Sequence, residues 1–177
     1  MLKAGGLAYT FKPDSNPAET GFFGQLPHLD HGDVHLSQSN AILRYVGKLA
    51  GLSGDDDKAF ALSEMLIEEA TDLMNMMNKA FYDKEGKEKA FDEAFATSFP
   101  KQFGFLEKLI PEGSVYFLPG PKRSTGGYAM AAMLDMAKSL QPDCLDAFPK
   151  LKAFHEAMVS SPAFDGIKDY PMYFQRR

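Results

Sequence analysis

The chain changes character once, at Ser53-Gly54-Asp55-Asp56-Asp57, and this break constrains its fold more than any other feature. Ahead of it, prolines, glycines and short apolar runs alternate. Behind it, apolar residues recur at helical spacing. About fifty residues bury too little surface to fold alone. The first part must therefore pack on the second. The expected class is α+β, with a small mixed unit over 1–52 and an all-helical unit over 58–177.

Within the first unit, Leu7-Ala8-Tyr9-Thr10-Phe11 reads as a strand, and Lys12 to Gly21, with Pro13 and Pro17, as a loop. Leu26 to Leu29 and Val34 to Leu36 read as two strands around Asp30-His31-Gly32-Asp33, where Gly32 is free to take a positive φ. Asn40 to Leu49 carries Ile42, Tyr45, Val46 and Leu49 on one helical face, and Gly51 closes it. In the second unit the spacing predicts helices over Lys58 to Phe81, Phe91 to Ile110, Ser124 to Leu140 and Pro149 to Val159. The second of these bends near Pro100, and Pro149 sits in a first turn, where proline is tolerated.

Bulk properties exclude several classes. The 177 residues carry 19 Lys+Arg against 24 Asp+Glu, a formal charge of −5, which leaves no electrostatic footprint for nucleic acid or an anionic membrane. Arg176-Arg177 is too short a basic run to change this. The single cysteine, Cys144, allows no intramolecular disulfide and suits a reducing compartment. The N-terminus has no apolar signal core, and Tyr128 to Ala137 is too short to span a bilayer. A cytoplasmic globular protein is the expectation. There is no Cys–His nucleophile pair, phosphate loop or dinucleotide fingerprint.

Two short stretches carry the chemistry: Phe23-Gly24-Gln25-Leu26-Pro27 and Leu36-Ser37-Gln38-Ser39-Asn40-Ala41-Ile42-Leu43-Arg44-Tyr45. Gln38-Ser39 opens a helix, where free N–H groups and the positive end of the dipole suit a carboxylate. Ser39 adds a hydroxyl donor, or else simply caps the helix. Pro27 either marks an edge strand or shapes a ligand site. Together they suit a site that holds a small peptide by its backbone and carboxylate.

These stretches resemble the glutathione site of cytosolic glutathione transferases, most closely the pi and sigma classes. Phe99-Pro100 with Phe105-Leu106-Glu107-Lys108-Leu109, Cys144-Leu145-Asp146-Ala147-Phe148-Pro149 and Ser160-Ser161-Pro162-Ala163-Phe164 match later family segments in the same order. The resemblance implies a thioredoxin-like unit in which Pro27 follows a cis bond. Leu26 then offers its N–H and C=O to the cysteinyl backbone of glutathione. It also implies the γ-glutamyl carboxylate at Gln38 and Ser39, with Gln25 holding the same peptide.

Further roles follow from the same likeness. Asp72 reaches the amino group of glutathione in the other subunit of a homodimer, Tyr82 lines the pocket for the electrophilic substrate, and Phe23 is the aromatic key inserted into the partner. Each has a plainer reading. Glu64, Glu68 and Asp72 form an acidic row at i, i+4, i+8, which costs a few tenths of a kcal/mol per pair unless a cation sits there. Tyr82 serves as a helix-end packing residue, and Phe23 as core.

The likeness has gaps. The family's opening strand, with its Tyr or Ser hydroxyl, has no counterpart, so the small unit reads as truncated. Met1-Leu2-Lys3-Ala4-Gly5-Gly6 resembles the end of the first helix. Ser124-Thr125-Gly126-Gly127 keeps the Ser of a capping box and lacks its acidic half, a deficit of about 1 kcal/mol.

The implied activity is attack of the glutathione thiolate on an electrophile, with glutathione as co-substrate and no cofactor. A free thiol has a pKa of about 8.5, and a two-unit drop needs about 2.7 kcal/mol. No catalytic hydroxyl is assigned here. A non-catalytic glutathione-binding or structural relative is the alternative. His28, His31 and His35 cluster with Asp30 and Asp33 around a turn, but their spacing matches no standard zinc pattern, so no metal is expected.

Overall fold

The turn at Gly32 decides the local shape of the first unit. Gly32 takes φ 61°, and the strands β1 (His28–His31) and β2 (Val34–Ser37) pair antiparallel around it, with His28 opposite Ser37 and His31 opposite Val34. This computed structural model describes residues 1–12, 16–84, 86–118 and 123–164. Part of the expected loop, Pro13 to Ser15, and Arg176-Arg177 lie outside them.

One expectation fails ahead of the hairpin. Leu7 to Phe11 is irregular, with Tyr9 and Phe11 exposed. A strand needs a partner, and among the described residues the sheet consists of β1 and β2 alone. The loop before the hairpin also contains one helical turn, α1 (Pro17–Thr20).

Residues 1–7 have the hydrogen bonding of a helix end. Gly6 lies at φ 63°, the Leu7 N–H donates to the Leu2 carbonyl, and the Gly6 N–H donates to that of Lys3. The helix α2 (Ser39–Leu49) ends the same way, with Gly51 at φ 66° and the Leu52 N–H on the Gly47 carbonyl. The two ends abut, since a Cβ on Gly5 would lie 2.4 Å from that of Ala50.

Among its described residues the second unit contains helices and the turns that join them. Asp56 caps α3 (Asp57–Phe81), its carboxylate accepting from the Ala59 N–H at 2.7 Å. Then come α4 (Lys87–Glu93), a π-helical segment (Ala94–Ser98) and α5 (Phe99–Leu109). These last three occupy the place of one bent helix. Pro100 has no N–H to donate, and the wider π turn lies immediately ahead of it. The bundle closes with α6 (Thr125–Leu140), α7 (Pro149–Val159) and a short turn at Pro162–Phe164. Among the described residues no helix is long and apolar enough to cross a membrane.

The core lies between α3, α5, α6 and α7. Leu73, Met77, Phe99, Phe103, Met130, Leu134, Leu151 and Phe154 are fully buried there. The tightest approach is between α3 and α6. A Cβ on Gly126 would lie 2.0 Å from the Ser63 backbone oxygen, and the Gly126 N–H donates to Ser63 Oγ at 2.9 Å. A Cβ on Gly47 would likewise meet Thr125 Oγ1 at 2.1 Å, which brings α2 against the start of α6.

We predict that Gly126→Ala destabilises the protein by about 1–3 kcal/mol, because backbone rather than a flexible side chain must move. Urea denaturation checks this, and an unchanged midpoint would mean that α3 and α6 do not approach so closely.

Candidate functional site

The hairpin register builds the site. His28 opposite Ser37 is the outermost pair, so Leu26-Pro27, just before β1, and Gln38-Ser39, just after β2, emerge at the same end of the sheet. The Leu26–Pro27 bond is cis. Leu26 is exposed, and neither its N–H nor its carbonyl has a partner among the described residues. Gln25 is exposed beside it. Its carbonyl is closely approached by Gly21, where a Cβ would lie 2.2 Å from that oxygen. A turn from Gly21 to Gly24 carries Phe22 and Phe23 outward.

Gln38, rather than Ser39, is the N-cap of α2, which corrects the capping alternative for Ser39. Gln38 lies at φ 78°, ψ 117° and makes no side-chain cap bond. A non-glycine residue there carries strain of about 1–3 kcal/mol. Ser39 is the first helical residue and is exposed at the positive end of the α2 dipole.

The start of α2 is tied to the helical unit. Asn40 Nδ2 donates to Thr71 Oγ1 at 2.9 Å. Four residues on, Arg44 Nε bonds Glu64 Oε2 at 2.6 Å, and its Nη2 bonds Glu68. Arg44 is thus the cation that the acidic row requires, and Glu64 foremost raises its pKa. Asp72, one turn beyond, is exposed and makes no ion pair among the described residues. Its neighbour Glu69 has a buried Oε1 without a partner, and burial first and Asp72 second raise its pKa.

Tyr82 stands apart from this group. It follows the last residue of α3, ten residues beyond Asp72, is 73% exposed, and packs edge-on against Phe81 at 5.0 Å. Phe23 is 66% exposed, so it is not a core residue of this chain. Cys144 is half-buried, with a thiol pushed up to about 11 by burial, and is not poised as a nucleophile.

Sequence reasoning missed Asn40, Arg44 and Ser37. Ser37 Oγ accepts the Phe22 N–H at 3.1 Å and pairs with His28 Nδ1 at 3.2 Å, linking the Phe22–Phe23 turn to the hairpin. Arg44 was findable, since a row of like charges on α3 demands a cation from a neighbouring helix.

A cis proline entering a strand that leads through a tight hairpin to a helix start, packed on a helical bundle, is the arrangement that the family likeness of the sequence implies. The family model for the glutathione S-transferase C-terminal domain matches residues 71–171. The glutathione S-transferase of Dirofilaria immitis is 33% identical over 150 residues, covering 84% of this chain and 70% of that protein. Glutathione S-transferase P of Bos taurus is 31% identical over 156 residues, covering 87% of this chain and 73% of that protein.

The solved pi-class enzyme of Onchocerca volvulus superposes with a TM-score of 0.79 at 30% identity, covering 92% of this chain and 79% of that one. For the glutathione S-transferase from Ascaris lumbricoides the TM-score is 0.81 at 27% identity, covering 96% and 88%. The chain belongs to the glutathione S-transferase family. Its helical part is that family's C-terminal domain, and its hairpin and α2 belong to the thioredoxin-like part.

We predict that Gln38→Gly raises stability by about 1 kcal/mol, the relief of the positive φ outweighing the entropy of glycine. Thermal denaturation decides it, and a lowered midpoint would show that Gln38 is not strained.

Proposed function

We propose that this chain binds glutathione at the end of the hairpin, as the binding half of a reaction that joins the glutathione thiolate to an electrophilic small molecule. The observation that carries this reading is the free backbone of Leu26 standing beside the unpartnered start of α2. An extended peptide pairs with such a backbone as an added strand. Its carboxylate then meets the Ser39 N–H and hydroxyl at the positive end of the helix. Gln25 and Gln38 supply amides at the rim. The strained Gln38 is the kind of outlier that persists where function requires it.

Asp72 completes the site across a two-fold axis, reaching the ligand's amino group, so binding and assembly are coupled. Phe23 anchors that dimer, which accounts for a phenylalanine left so exposed on a turn held by Ser37. Tyr82 lines the pocket for the electrophile.

Titration calorimetry of the purified chain with glutathione tests the binding. Saturable heat is expected for the wild type and its loss for the Gln38→Ala, Ser39→Ala double variant. Equal heats in both would refute the assignment.

Sedimentation velocity tests the assembly. Phe23→Ala is expected to weaken the dimer by about 2 kcal/mol, roughly thirtyfold in dissociation constant. A wild type that is monomeric at micromolar concentration removes both the key and the cross-subunit role of Asp72. Equal dimerisation of the two proteins removes only the key.

A further inference from the structure

The geometry points to a metal site: we propose that His28, Asp30 and His35 bind a divalent first-row transition ion on one face of the β1–β2 hairpin. The register sets Asp30 opposite His35, and the two-residue period of a strand puts His28 on the same face as Asp30. Both imidazoles turn to one carboxylate oxygen. His28 Nε2 lies 3.0 Å and His35 Nδ1 2.7 Å from Asp30 Oδ1. All three ligand atoms fall within 4.8 Å of one another. A tetrahedral ion bound at about 2.0–2.1 Å by nitrogen and oxygen holds neighbouring donor atoms about 3.3–3.4 Å apart. The two nitrogen–oxygen separations are hydrogen bonds somewhat shorter than that, so the side chains need to open by only about 0.3–0.7 Å to admit the ion.

The donor set selects the class of ion. Two neutral imidazoles and one carboxylate suit zinc, copper, nickel or iron rather than calcium or magnesium. Three protein ligands leave further positions to water. The exposures suit an ion entering from solvent, since the His28 side chain is only 12% exposed whereas Asp30 and His35 are 65% and 52% exposed.

The His28 ring is already held in place from behind. The other nitrogen of His28, Nδ1, lies 3.2 Å from the buried Ser37 Oγ. That oxygen has two lone pairs. With one it accepts the Phe22 N–H, and with the other it can accept a His28 Nδ1–H, which frees the Nε2 lone pair for the ion. His31 takes no part, because its Nδ1 bonds the Tyr45 hydroxyl at 2.7 Å. The ion site stands independently of glutathione binding.

Titration calorimetry of the untagged chain with zinc alone tests this. The wild type is expected to take up one saturating equivalent. His35→Ala and Asp30→Ala are expected to bind at least about tenfold more weakly. His31→Ala is expected to match the wild type. Amide spectra of the wild type with cobalt added need no variant, and should show broadening centred on residues 28–36. No saturable zinc binding, equal affinity in all the variants, or broadening centred elsewhere would each overturn the site and leave the three residues a hydrogen-bonded surface cluster.

Discussion

The close approach of α6 to α3 at Gly126 sets the position of nearly everything else. There the backbones touch, and the buried Ser63 both crowds Gly126 with its carbonyl and accepts its N–H with its hydroxyl. One residue earlier, the N–H and the hydroxyl of Thr125 both donate to the Leu52 carbonyl, at 2.8 Å and 3.0 Å. Gly47 of α2 faces the same Thr125. Three helices therefore meet within one turn of α6. The small unit is registered to the bundle by backbone and short side chains, which allow far less slippage than long apolar side chains do.

That registration is what gives a hairpin of so few residues a defined site. Two strands alone are marginal in water. Here β2 runs directly into α2, and α2 is held by Gly47, by Asn40 on Thr71 and by Arg44 on Glu64 and Glu68. The Arg44 contacts are half-exposed, so each contributes little stability. Their effect is orientational, since a planar guanidinium spanning two carboxylates one turn apart fixes the rotation of α2 about its axis. The direction of the Ser39 end of the helix follows from that rotation.

Much of this could be read from the sequence, for identifiable reasons. Gly32 and Gly51 punctuate the hairpin and α2 because each needs a positive φ, and that requirement is local. The period of α3, α6 and α7 is likewise local. Leu7 to Phe11 misled because its alternation satisfies a strand locally while pairing does not depend on it. Gln38 misled because capping preferences rank Ser above it, whereas the chain leaving β2 turns into α2 one residue early and leaves Ser39 inside the helix. The candidate glutathione residues could be named from family likeness, but their adjacency comes from the register of His28 with Ser37. The convergence of His28, Asp30 and His35 follows from the same register, which is why their linear spacing matched no metal pattern.

The bundle also borrows its helix starts. Ser124 supplies one cap to α6, and Leu52 and Ser63 supply the acceptors that its own first turn lacks. α7 has no capping side chain of its own. Both carboxylate oxygens of Glu107, on α5, accept the Lys150 and Leu151 N–H groups at 3.0 Å and 2.8 Å. Every borrowed acceptor precedes in the chain the helix that it serves. A ribosome therefore releases each acceptor before the N–H groups that need it. A circular permutation that placed residues 125–159 first would reverse this order and expose two helix starts with nothing yet made to receive them.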